Sequence, residues 1–472
     1  MNQIYTFFLL AVLVSGCTED LRESIDFVAV DNPNIYQESI IGVKNSSLNW
    51  MIGLEKEMSN TLNEIVLIAE LGSDNYTNTE TFYNPFMDQL SIRTNDPDIQ
   101  KIQFQIARLR EMAIFGLDEV GPNDENYNPG IAAEFHFFEG MSYLFAGMYF
   151  SYLPADVLGV PLSSEAHFNK AIESMTNAIT NNPTPAYYLA RARAYYYLGD
   201  RINSVADATS ALAADPKFLR AAEFDDVNGP SNRMENAIFR RFTNDLQPLP
   251  SLDFLDPKYA FDGNGTPPSI YYLKAEEAHL ILAEANLTTG NLGGAKANFE
   301  ALRALILDVT RVVKTLNDSR EDRKLVRPIN EEVTVNGNTG LILSRQRGFV
   351  SVPNISGMSL STNQINDLDL SDDSLKLLYK TRQEVFIAEG LRFVDMGIKL
   401  VINENEILQN DNIEFGTPGT LPVIPIFITT VTTTLDSFNY DFFSSPTICT
   451  ITTDVNEVLV QNKSSNQVLP FY

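Results

Sequence analysis

The side chains most suggestive of chemistry are acids at helical spacing. Glu277 and Glu284 lie seven residues apart, so their carboxylates share one helix face. Two carboxylates about 5–10 Å apart can divide acid and base roles in bond hydrolysis. Glu389, Arg392 and Asp395 lie at i, i+3 and i+6, where one stripe allows ion pairs. Both sets sit among apolar residues with helical period, so salt bridging and helix packing are the expected roles. Other chemistries lack their residues. His136, His167 and His279 are far apart, with no HExxH or CxxC spacing, so no zinc site is expected. No GxSxG elbow and no GxxxxGK[ST] loop occurs. In the acidic run 366–374, Asp372 falls where a calcium loop needs glycine and Leu378 where it needs glutamate. That run is expected to cap the following helix. No enzymatic activity, metal or cofactor is expected.

The two cysteines, Cys17 and Cys449, make no disulfide framework. Cys17 ends an apolar block, residues 4–14, too short for a transmembrane helix of about 20 residues. The block has the length of a signal-peptide core. With Ser15 and Gly16 before Cys17, the segment resembles the lipobox of bacterial lipoproteins. Residues 1–16 are therefore expected to be a signal peptide and Cys17 the lipidated amino terminus. Two or more acyl chains anchor stably, at about 0.8 kcal/mol per buried methylene. Glu19 and Asp20 follow at once, and resemble the acidic export signal of Bacteroidetes surface lipoproteins.

Removing that segment leaves about 455 residues, enough for a substantial core. Apolar residues are 44% and charged residues 20%, a globular balance. The net charge of −27 argues against nucleic acid, whose binders cluster Lys and Arg.

Helical periodicity runs from about residue 47 to 313. Residues 130–154 are apolar nearly all round, which predicts a buried helix stopped by Pro154. A repeat follows. Ala171, Met175, Ala178 and Pro183 recur as Ser204, Ala208, Ala211 and Pro216, 33 residues on. Tyr188, Ala192 and Tyr195 between them have the spacing of a tetratricopeptide first helix. A further helix pair spans 270–305, with its turn at 288–290 and Ala283, Ala295 and Phe299 at packing positions. So few units cannot stand as a free solenoid and must pack on the rest of the chain. Residues 224–269 read as loop-rich. "EEVTV" and "GLILS" read as short strands, a long helix opens at Ser371 and runs through "EGLRFVDM", and "FITTVTTTL" reads as the clearest late strand. The predicted fold is predominantly α, with tetratricopeptide-like repeats packed against a loop-rich, partly β remainder. Residues 17–223 form an amino-terminal region holding the repeats, and 224–472 a carboxy-terminal region.

Three segments in order then carry a family resemblance. Leu273, Lys274, Glu277, Leu280 and Ala283-Glu284-Ala285 resemble the "LR-AE--L--AEA" helix of the SusD/RagB outer-membrane lipoproteins of Bacteroidetes. Residues 389–396, "EGLRFVDM", preceded by Arg382, are similar to that family's "EG-R-(aromatic)-D-L" helix. The helix at 130–154 with "VLGVPL" after it resembles the "ARF-RA…FG-VP" segment. The resemblance implies a SusD-like fold. It also implies a lipid-anchored protein on the outer face of the outer membrane, a lid on a SusC-like TonB-dependent barrel. Such a protein captures oligosaccharides, and sometimes peptides, on aromatic faces and side-chain amides in loops opposite the repeats. Glu277, Glu284, Glu389, Gly390, Arg392 and Asp395 take structural roles in it. The family's ligand contacts follow no motif, so composition selects candidates. Tyr76, Phe82 and Tyr83 with Asn75, Asn78 and Asn84 fill the loop 72–85, and Tyr259 and Phe261 the loop 256–265. Trp50 is expected in the core. A repeat scaffold organising envelope proteins, with no nutrient ligand, is the alternative; a surface glycosidase ranks third and has no visible catalytic constellation.

Overall fold

A computed structural model describes residues 41–79, 84–240, 246–260, 267–308, 311, 314–318, 327–441 and 447–472. Cys17, Phe82, Tyr83 and Phe261 lie outside the described residues. The fold is predominantly helical. Its long helices are α1 Ser46–Leu71, α2 Pro97–Phe115, α3 Pro129–Tyr149, α4 Ser164–Asn181, α5 Pro185–Tyr197, α6 Arg201–Ala214, α7 Ala275–Thr288, α8 Leu292–Ile306 and α9 Asp372–Val385. Local sequence sets where several begin. Asp96, Asn128 and Thr184 accept hydrogen bonds from the first-turn amides of α2, α3 and α5, each with proline in the first turn.

The strands are short. β1 (Tyr76–Asn78), β2 (Tyr152–Pro154), β3 (Pro161–Ser163), β4 (Leu219–Ala222), β5 (Leu246–Pro248) and β6 (Ile270–Lys274) make three antiparallel pairs, β1 with β5, β2 with β3 and β4 with β6. β7 (Lys314–Asn317) pairs with β9 (Phe349–Val352). β8 (Thr334–Val335), β10 (Phe438–Asp441) and β11 (Ile448–Ile451) form a sheet in the order β10-β11-β8.

The repeats stack as the small residues require. Ala171, Met175 and Ala178 of α4 are buried, as are Ser204, Ala208 and Ala211 of α6. Ser204 donates to the Ala192 carbonyl at 2.9 Å, a distance only close helices reach. The distant pair α7–α8 continues the same layer, because α7 packs on α6. Ala283, Ala295 and Phe299 are buried there, and Gly290, at φ +76°, makes the turn. Against this layer pack α3 and α9, α1 and α2 pack in turn on α3, and one apolar core takes residues from Leu54 to Phe471. Among the described residues no helix is long and apolar enough to cross a membrane.

Four local expectations are corrected. α3 ends at Tyr149 and not at Pro154, because Phe150 turns extended and the Tyr149 carbonyl accepts from Leu400 N–H at 2.7 Å. Residues 152–154 become β2. The helix from Ser371 is broken: α9 stops at Val385 and a short helix, Leu391–Asp395, follows. Ala388 (φ +60°) and Gly390 (φ +80°) are left-handed between them, which no continuous helix permits. "FITTVTTTL" is a helical turn, Ile426–Thr429, followed by a 3-10 turn, Thr432–Thr434. The hydroxyls of Thr429, Thr430, Thr432 and Thr434 donate to carbonyls three or four residues back, which gives the backbone an alternative to a strand ladder. "GLILS" is irregular, with Leu341 and Ile342 turned into a small satellite core, and "EEVTV" contributes only β8.

Candidate functional site: a polar cleft behind the repeat layer

Helix α9 separates two environments. On one face, Tyr379 and Arg382 meet the repeats. The Tyr379 hydroxyl lies 3.3 Å from that of Tyr196 in α5 and 3.5 Å from the Glu284 carboxylate in α7. Arg382 stands 5.1 Å from the Tyr196 ring and donates to Asp395 at 2.9 and 3.2 Å. On an adjacent face Lys376, Lys380 and Gln383, at i, i+4 and i+7, line a cleft of about 410 Å³. The cleft therefore lies beside the face that meets the repeats, roughly a quarter-turn round α9.

Its floor is a closed hydrogen-bond network. Gln383 Nε2 donates to Asp74 Oδ2 at 2.9 Å and to Asn75 Oδ1 at 3.1 Å. Asn456 Nδ2 donates to Gln383 Oε1 at 2.8 Å. Beneath them Arg392 donates to both oxygens of Asp74, at 2.6 and 2.9 Å, and to Asn456 Oδ1 at 2.9 Å. All five side chains are buried, so burial is compensated by complete pairing and the floor is rigid. One wall is a hairpin turn. Asn336 and Gly337 are both left-handed, and Val335 and Asn338 exchange backbone hydrogen bonds across them. That turn presents the exposed Asn336 and Asn338 to the cleft. The opposite rim carries charge of both signs: Lys376 bridges Asp454 and Glu457 at 2.9 Å each, and Lys380 stands 3.6 Å from Glu384. Aliphatic side chains, among them Leu249, Leu252, Leu341 and Ile451, complete the lining.

The acids at helical spacing are all paired. Arg193 clamps Glu277 with two bonds, at 2.5 and 2.7 Å. Glu284 accepts from Tyr196 at 2.7 Å, and burial pushes its carboxyl up to about 7. Glu389 accepts from Lys274 at 2.5 Å and from Lys258. Burial pulls Lys274 down to about 8, against the pull of Glu389. The expected mutual pairing within 389–395 is corrected: Glu389 pairs with Lys258 and Lys274, Arg392 with Asp74, Asp395 with Arg382. The break at Gly390 takes Glu389 off the stripe, and Arg392 and Asp395, still three apart in one short helix, turn to partners on different elements.

The two aromatic candidates among the described residues, Tyr76 and Tyr259, are placed otherwise than expected. Tyr76 and Tyr259 are each 1% exposed, so neither offers a ring face to a ligand. β1 pairs with β5 and turns Tyr76 inward, and Lys258 Nζ lies 5.6 Å from the Tyr259 ring. Asn78 is half-buried at the end of β1. The loop 72–85 reaches the cleft through Asp74 instead. Trp50 is partly buried against Phe115, and its Nε1 donates to the Met112 carbonyl at 2.7 Å. Asp369, in the acidic run, accepts from Ser371 and Ser374 at the start of α9. Sequence reasoning missed Lys376, Lys380, Gln383, Asn336, Asn338 and Asn456. The "VNGN" turn was a usable signal for two of them; a polar stripe on α9 looks the same whether it faces solvent or a cleft.

No protein-family model matches the sequence, and no curated protein does. Solved structures match the fold. A SusD superfamily protein from Bacteroides fragilis aligns with 78% of this chain and 98% of its own, at 13% identity and a TM-score of 0.52. A SusD-like carbohydrate binding protein from Bacteroides vulgatus aligns with 75% of this chain and 82% of its own, at 11% identity and a TM-score of 0.50. A laminarin binding SusD-like protein aligns with 79% and 98%, at 13% identity and a TM-score of 0.50. The chain has the SusD-like fold.

Proposed function

We propose that this chain is a SusD/RagB-family lipoprotein, with no catalytic activity, that binds a glycan in the cleft behind α9. It is anchored through Cys17 in the outer membrane, facing outward, and passes its ligand to a SusC-like TonB-dependent barrel. Residues 17–223 supply α1 and the first helices of the repeat layer, and 224–472 its continuation α7–α8 and most of the cleft. The observation that carries the reading is the cleft itself: about 410 Å³, within the range of small-ligand sites, with a floor of buried, locked amides and a wall of exposed ones, Asn336 and Asn338, each only partly engaged by the turn and by Ile451. Amides meet sugar hydroxyls as both donor and acceptor, and the aliphatic lining suits the apolar face of a ring. The carboxylates at helical spacing are held by Arg193, Lys258, Lys274 and Tyr196, which suits support and not acid–base work. A peptide ligand is the second reading, favoured by one feature: a rim carrying Lys376 and Lys380 beside Asp373 and Asp454 complements a zwitterionic chain.

Screening the folded protein against soluble β-glucans, α-glucans, pectic fragments and mixed-sequence peptides decides between them. Retention of one glycan class, with no release of reducing sugar, supports the proposal. Retention of peptides alone supports the second reading, and steady glycan hydrolysis contradicts both.

A further inference from the structure

A second cavity, of about 530 Å³, lies where the start of α4 and the end of α5 meet the residues 464–470. Its wall includes Lys399, Phe168 and Tyr197, with Asn466 and Gln467 at the mouth. The backbone of Lys399 is fixed by a bridge to Val423. Its ammonium donates to the carbonyls of Gly147 and Met148 at 2.8 and 2.7 Å, in the last turn of α3. An ammonium has three donors, and among the described residues the third meets no hydrogen-bond acceptor; the Phe168 ring stands 5.9 Å from it. No carboxylate among the described residues lies within ion-pair distance of it, whereas Lys258 and Lys274 both share Glu389. In a chain of net charge −27, a cation left without a counter-charge in a cavity is an unusual arrangement. Burial alone pulls Lys399 down to about 7, with no acid to hold it up, so an arriving anion would supply the missing compensation.

The rest of the cavity narrows the class of anion. Phe168 and Tyr197 stack with centroids 5.9 Å apart; Phe168 is buried, and the partly exposed Tyr197 gives the apolar wall. The side chains of Asn466 and Gln467 are exposed, and among the described residues their amides make no hydrogen bond. A charge, an apolar face and free amides together match a ring that carries both a carboxylate and hydroxyls. We propose that this cavity binds a carboxylated sugar, with Lys399 Nζ holding the carboxylate and Asn466 and Gln467 meeting the hydroxyls. The site is separate from the cleft behind α9 and stands or falls without it.

Calorimetric titration of the folded protein with D-glucuronate and with D-glucose tests this. Glucuronate is expected to bind, and glucose, lacking only the carboxylate, to bind at least roughly tenfold more weakly, the scale of one charge-assisted hydrogen bond. Lys399→Met is expected to lose the same factor, and Asn466→Ala roughly threefold with unchanged melting. Lys399→Met also removes a cap from α3, so a second readout uses the unaltered protein. Reductive methylation of Lys399, mapped by mass spectrometry, should slow under saturating glucuronate and not under glucose. The proposal is overturned by no glucuronate binding, by equal affinity for the two sugars, or by equal labelling of Lys399 with and without glucuronate. Unchanged glucuronate affinity in Lys399→Met overturns it too, leaving the lysine as a helix cap only.

Discussion

Arg392 joins the family-like motif to the cleft. Its guanidinium lies under the floor, takes both oxygens of Asp74 and steadies Asn456, which in turn fixes Gln383. Deleting the cation leaves Asp74 buried with its charge uncompensated. Arg392→Ala should therefore cost about 3–5 kcal/mol, the usual scale for breaking a buried pair from one side. The double variant Asp74→Asn with Arg392→Met should recover part of that loss, because no lone charge remains. Denaturant melts on the three proteins check this. A change within about 0.5 kcal/mol for Arg392→Ala would place the residue at an ordinary surface site instead. Tyr76 teaches a related lesson. In the sequence it is one aromatic in a polar loop, yet three residues of β-pairing with Leu246–Pro248 put it in the core. Alternation over so short a strand carries no readable signal.

The elements were legible where packing imposes a period. Small residues recurring 33 apart mark α4 and α6, because helices that approach closely need them at every turn. Where a few torsions decide, the sequence was silent. Threonines that favour strands in general make helical turns at 426–434, since their hydroxyls bond back along the chain. The break between α9 and Leu391–Asp395 rests on Gly390, whose position is also a contact point. A Cβ there would stand 3.2 Å from the Tyr149 hydroxyl and 3.4 Å from Ala69 and Val66, at φ +80°. Gly390 N–H also donates to Glu70 at 2.8 Å. Gly390→Ala should lower stability by about 1–2 kcal/mol from the left-handed torsion alone, with the tight contacts adding to it. Gly337→Ala, at φ +79° in open space, supplies the control: torsional cost without contact. Equal loss in the two variants would show that Gly390 is needed for its torsion and not for its packing.

At the scale of the whole molecule, buried acids in the core set the response to pH and the cleft sets the function. Burial raises Glu70 and Glu284 from 4.5 to about 7. Between those values the folded protein holds protons that the unfolded chain has released, so stability falls as pH rises from about 4.5 to 7. Lys274 contributes only above about 8, in the opposite sense, as the unfolded chain keeps a proton the folded one gives up. Glu284→Gln mimics the protonated acid and should flatten the fall by about 3 kcal/mol or less. Denaturation at pH 5 and pH 7.5 reads it, and an identical slope in the variant would mean Glu284 is ionised throughout. The central claim, that the cleft behind α9 holds the ligand, is tested most directly by calorimetry. The glycan retained in screening is titrated into the wild-type protein and into Lys380→Ala and Asn338→Ala, two cleft side chains outside the core. The account predicts losses of about 1–2 kcal/mol in affinity for each, with melting temperatures unchanged. Wild-type affinity in both folded variants would contradict it and move the site away from this cleft.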